Sequence, residues 1–164
     1  MAILIYGESC PLCGLPIDKC NRSVSFPPFV GNELDPLFAF SDSAFHEDCF
    51  RRHPLAESAT AVVDDMQAKL LPINRNCTVC ETPITDPDEY CSLGLLTSDK
   101  ASPLWTYNFT QFHRTCLASW PQSALVRGLL QDMASSGKWR GKALQWLLKR
   151  LDRGVAERPK LGPF

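Results

Sequence analysis

The sequence has no apolar run near the roughly 20 residues that a membrane-spanning helix needs. Its longest, Ala2 to Tyr6 and Leu93 to Leu96, are short, so no membrane partner is expected. No basic stretch precedes the first of them, which reads as a short strand and not as a secretory leader. A cytoplasmic protein in reducing surroundings is therefore expected. A Gly-rich phosphate loop and a Ser, His, Asp order are both missing, which removes the usual marks of phosphoryl and acyl transfer. No small-molecule substrate is expected. Histidine is scarce, with 3 in 164 residues, and the net charge is only −1. Each of His46, His53 and His113 therefore needs an explanation.

Cysteine is plentiful, with 8 residues, and in a reducing compartment metal ligation is a better use of it than disulfides. Cys10-Pro-Leu-Cys13 precedes His46-Glu-Asp-Cys49, and Cys77-Thr-Val-Cys80 precedes His113-Arg-Thr-Cys116. Each member of the second quartet lies 67 residues after its counterpart in the first. At that same offset Pro16-Ile17 falls on Pro83-Ile84, Pro36-Leu37 on Pro103-Leu104, Phe45 on Phe112, Pro54 on Pro121 and Asp65-Met66 on Asp132-Met133. Phe38 and Phe40 fall on Trp105 and Tyr107. The chain is an internal duplication, and two copies of one fold follow.

Zinc takes thiolate and imidazole ligands tetrahedrally, and a closed shell of three cysteines and one histidine leaves no open position for water or substrate. Two structural zinc ions are expected, on Cys10, Cys13, His46 and Cys49 and on Cys77, Cys80, His113 and Cys116. Gly14 suits the tight turn after the first pair. The histidine and cysteine three apart predict ligand-bearing helices from about Ala44 and Gln111, with Phe45 and Phe112 beneath the metal. Cys20, Cys91 and His53 find Pro87, Val24 and Trp120 at the repeat offset. Cys20 and Cys91 are read as buried free thiols and His53 as packing.

Between the ligand pairs, 26–30 with 37–40 and 90–97 with 104–109 predict hairpins around turn-forming clusters. Ala59, Val62, Val63, Met66 and Leu70 predict a helix ended by Pro72, and Leu125, Leu129, Leu130 and Met133 one capped by Gly137. A third helix is expected over about Lys142 to Arg153, with a frayed tail from Arg158 to Phe164. The predicted class is small α+β, zinc-stabilised. It comprises copy one with its helix (1–72), copy two with its helix (73–136), and a C-terminal amphipathic helix with tail (137–164).

In its Cys-x2-Cys knuckle, hairpin and helix carrying His-x2-Cys, each copy resembles a treble-clef zinc finger over residues 10–54 and 77–121. RING and LIM modules share that framework but use about twice as many ligands per module, which weakens a ubiquitin-ligase reading. HNH nucleases resemble it too, yet the additional histidine and open metal position are not found here. The resemblance implies a platform that binds proteins, with nucleic acid a lesser possibility, and no catalysis.

Charge is segregated. Residues 1–113 hold 7 Lys and Arg against 15 Asp and Glu, and residues 114–164 hold 10 against 3. Glu33, Asp35, Asp42, Glu47 and Asp48 are candidate contacts for a basic partner, with Phe26, Phe29 and Trp105 as exposed apolar anchors. An immunity or antitoxin protein covering a basic toxin is an alternative on the same grounds. Lys138, Lys142, Lys149 and Arg153 form the opposite candidate surface, bordered by Trp139 and Trp146 on one helical wheel. Contact with phosphate or an acidic protein there competes with a solvated face whose tryptophans close the core.

Overall fold

The computed structural model describes residues 7–156, with side chains as far as Asp152. The strand expected over residues 1–6 and the tail from Arg158 to Phe164 lie outside the described residues, as does the side chain of Arg153. The described chain is a small α+β fold with four helices and two small antiparallel sheets. Copy one contains β1 (Ser23–Phe26), β2 (Ser43–His46), α1 (Glu47–Arg51) and α2 (Ala56–Leu70). Copy two contains β3 (Tyr90–Ser92), β4 (Gln111–His113) and α3 (Ser123–Ser135), followed by α4 (Ala143–Ala156).

The duplication extends to register. β1 pairs antiparallel with β2 through Ser23 and His46, and β3 with β4 through Tyr90 and His113, the same pair 67 residues on. Isolated bridges join Ser9 to Pro16 and Asn76 to Pro83, closing each knuckle in the same way. Short 3-10 turns at Phe38–Phe40 and Trp105–Tyr107 also correspond. Ser41 Oγ accepts from the N–H groups of Phe29 and Val30, and Asn108 Oδ1 from those of Leu96 and Thr97. Different side chains thus satisfy the same two backbone donors.

Two expectations about these elements are corrected. The ligand histidines end strands and do not lie in helices begun at Ala44 and Gln111. Strand alternation sends Phe45 and Phe112 fully into the cores, at 0% exposure each. The helical turn starts only afterwards, as α1 in copy one and as a 3-10 turn at Cys116–Ser119 in copy two. The partner of the first strand in each copy is therefore the histidine strand. Leu37–Phe40 and Leu104–Phe109 do not form strands with it. In copy one Asp35 Oδ1 accepts from Leu37 N, which tightens the chain into the 3-10 turn after Pro36.

Copy one closes around five phenylalanines. Phe26 packs on Phe50 with the rings tilted and their centroids 4.9 Å apart, and Phe40 meets His53 edge-on at 5.0 Å. In copy two Trp120 replaces His53 and packs on Phe112 at 4.8 Å. A fully buried phenylalanine contributes about 2 to 3 kcal/mol relative to an exposed one. That burial contradicts the expectation of exposed anchors: Phe26 and Phe29 are core residues. Trp105 is half-buried, with Lys100 Nζ 5.8 Å from its ring centroid.

The copies are also joined to each other. Val30 and Leu95 form a parallel bridge, and Leu95 and Phe109 of copy two enter the core of copy one. Gln111 Nε2 donates to the Lys69 carbonyl at 2.9 Å. Asp35, expected at a binding surface, is buried and accepts from Ser98 N at 2.8 Å and Ser98 Oγ at 2.7 Å. Glu33 pairs with Arg140 at 2.9 Å, Glu47 pairs with Arg51, and Asp42 and Asp48 are exposed.

The C-terminal stripe is shorter than one helical wheel suggests. Gly141, at φ 105°, separates Lys138 and Trp139 from α4. Trp139 is buried, while Trp146 is 70% exposed. The segment before α4 is strapped to copy one, because Asn32 Nδ2 donates to Lys138 O and Arg140 N donates to Asn32 Oδ1.

Candidate metal centres

Each quartet comes together from two places in its copy. The knuckle turn places the first cysteine in the core and the second at the surface, with Cys10 and Cys77 buried and Cys13 and Cys80 exposed. Its backbone closes by Gly14 N donating to Cys10 O and Glu81 N to Cys77 O, at 2.8 and 2.9 Å. The end of the histidine strand brings the imidazole, and the following turn brings Cys49 or Cys116.

The four ligand atoms of each quartet lie within 4.8 Å of one another. Cys13 Sγ is 3.4 Å from His46 Nδ1, and Cys80 Sγ is 3.4 Å from His113 Nδ1. Cys49 and Cys116 stand 3.9 Å from the same nitrogens. Zinc bonds of about 2.3 Å to sulfur and about 2.0 Å to nitrogen, opened to the tetrahedral angle, give an edge of about 3.5 Å. The observed separations bracket it. Both quartets could therefore each hold a metal ion, with all eight predicted residues in place.

The geometry adds features that ligand spacing does not reveal. Nδ1 of each histidine faces the sulfurs, and His46 Nε2 lies 3.1 Å from the Pro16 carbonyl oxygen, to which it can donate. Such a second contact fixes tautomer and ring orientation. Thr82 Oγ1 lies 3.1 Å from Cys80 Sγ. No sequence signal marks it, because copy one carries Leu15 at that place.

The thiols of one quartet are not equivalent before metal arrives. Burial pushes Cys10 up, but N–H donation from His46, Leu12 and Cys13 outweighs it and brings the thiol down to about 7. Hydrogen bonding from Thr82 lowers Cys80 to about 6. Burial, then the negative charge of neighbouring cysteines, pushes Cys49 and Cys116 up to about 11. Hydrogen bonding to Cys77 raises His113. Clustered thiolates repel one another, and a divalent cation at the centre removes that repulsion.

Cys20 and Cys91 stand apart from both quartets. Cys91 is buried, and burial raises its thiol. Cys20 is exposed, contrary to the expectation of a buried thiol, because the bend at residues 18–21 turns outward with Cys20 N bonded to Asp18 Oδ1. Among the described residues no helix is long and apolar enough to cross a membrane. Compared with protein families, with curated proteins and with solved structures, the chain matches none.

Proposed function

We propose that the chain is a non-catalytic tandem zinc-finger protein, with one structural zinc in each of two treble-clef-like copies, acting as a protein-interaction module. The observation that carries the reading is the repetition of one closed Cys3His geometry, including equal 3.4 Å contacts to Nδ1 in both copies. Three thiolates and an imidazole are the ligand set of structural zinc, and a filled shell has no position for a reacting water. Each copy has only a few short elements around its core, so metal binding supplies folding energy of about 10 to 16 kcal/mol per structural site. A scaffold held this way presents side chains to a partner without chemistry of its own.

A second reading is an immunity-type protein that covers a basic toxin. It draws support from Glu57 and Asp64 along a shallow groove between α1 and α2, where Glu47 is already paired with Arg51.

Elemental analysis of protein purified without added metal tests the proposal, with about two zinc ions per chain expected. Folded protein holding none would overturn it. Metal-dependent hydrolysis of nucleic acid or ester substrates that disappears on His53→Ala would overturn the non-catalytic part.

A further inference from the structure

A cleft of about 430 Å3 opens where the two copies meet α4. Its walls come from residues 28–31 of copy one, the end of α2, residues 90–95 of copy two and the first half of α4. Phe29, Leu70, Leu95, Phe109 and Trp146 make them apolar, and among the described residues Arg150 is the only charged side chain in the lining. Trp146 stands at this cleft 70% exposed, while Trp139 closes the core nearby. An exposed tryptophan beside a concave apolar surface is the usual form of a protein-binding anchor site.

Cations gather at the rim. The Arg150 guanidinium donates to the Ser92 carbonyl, and Lys149 Nζ lies 5.9 Å from the Trp146 ring centroid. Arg75 Cζ lies 4.8 Å above the ring of Tyr90, another lining residue. Among the described residues no acidic side chain lines the cleft. This surface has the opposite sign to the acidic groove on copy one.

We infer that this cleft receives an acidic protein segment carrying a bulky apolar anchor. The anchor covers Trp146 and enters between Phe29, Leu70 and Leu95, while flanking carboxylates meet Arg75, Lys149 and Arg150. Arg150 is already tied down by Ser92, which reduces the ordering needed on binding. Concavity favours a side chain over a lipid surface, which is met by protruding apolar groups. A polyphosphate would meet Arg150 as the one charged side chain among the described lining residues and would leave the apolar walls uncovered, whereas an anchored acidic segment uses both. The assignment rests on the reading of the chain as a protein-interaction module and names its binding face.

The test uses the full zinc-loaded chain and fluorescence anisotropy of a short labelled peptide alternating Phe and Leu with Asp and Glu. Binding should weaken with salt and fall about tenfold or more in Trp146→Ala and in Arg150→Glu. Both positions are exposed, and an unchanged zinc ratio shows that the variants fold. Asp48→Lys should leave binding intact. The same peptide with Lys and Arg replacing the acids, phosphatidylserine vesicles and a single-stranded oligonucleotide serve as competitors. The inference is overturned if the acidic peptide does not bind, if both cleft variants bind it normally, or if any competitor binds the cleft more tightly. Self-association lost in Trp146→Ala would assign the face to a second copy and would equally overturn it. If the acidic peptide fails to bind while the zinc ratio remains near two and the basic peptide binds at copy one, the cleft assignment fails and the interaction module stands.

Discussion

Gly14 and Glu81 occupy the same place in the two knuckles and share a left-handed backbone, at φ 75° and 59°. Each donates its N–H to the first cysteine of its quartet, so the conformation belongs to the metal turn and not to the residue. A side chain in this region costs roughly 1 to 2 kcal/mol, which glycine avoids while losing part of the gain to its freer unfolded state. Glu81→Gly should therefore stabilise the metal-loaded protein by about 0.5 to 1 kcal/mol, and Gly14→Ala should destabilise it by about 1. Denaturant midpoints at fixed zinc measure both. A less stable Glu81→Gly would show that the glutamate side chain has a compensating role.

Asp35 links the copies through Ser98, although the acidic composition of its region suggests a surface residue. Asp35→Ala strands two donors on Ser98 and the N–H of Leu37, and should cost about 2 to 4 kcal/mol. Asp48→Ala, on the exposed first turn of α1, should cost less than about 1 kcal/mol. Equal losses in urea unfolding would mean that the buried link carries no stability.

The contrast between those two residues marks what was legible in the sequence. The ligand set was, because zinc chemistry restricts residue types and the duplication marks the same positions twice. The two-copy division of the cores follows from the same repeat. The element holding each histidine was not, since a three-residue spacing is met by a strand end followed by a helical turn as well as by one helix. Trp139 and Trp146 are seven apart and share a helical face on paper, but the backbone of Gly141 breaks the helix between them. The burial of Asp35 depends on a partner 63 residues away, which no local pattern encodes.

Metal uptake should be linked to pH through Cys49 and Cys116. Both thiols are held up at about 11 in the metal-free quartets, so at about pH 7 each is protonated and must release its proton to ligate. Acid returns that proton, so affinity falls as pH falls, by about tenfold per unit for each proton released. Calorimetry in buffers of different ionisation enthalpy should count at least one proton expelled per zinc bound. A count of zero would place the thiolate charge on these cysteines before the metal arrives.

The docking of α4 on copy one can be tested at a single methyl group. Gly31 has no left-handed backbone to protect, yet a Cβ built on it would meet Ala143 Cβ at 2.8 Å, so the constraint is close approach and not conformation. Gly31→Ala should destabilise the protein by about 1 to 3 kcal/mol, as overpacking does elsewhere. Because Ala143 is the first residue of α4, Ala143→Gly alone should cost no more than about 1 kcal/mol. In the double variant the clash disappears, so the two effects should sum to less than their separate costs, with a coupling of about 1 kcal/mol or more. Strict additivity in the unfolding free energies would show that α4 does not press on this loop in solution.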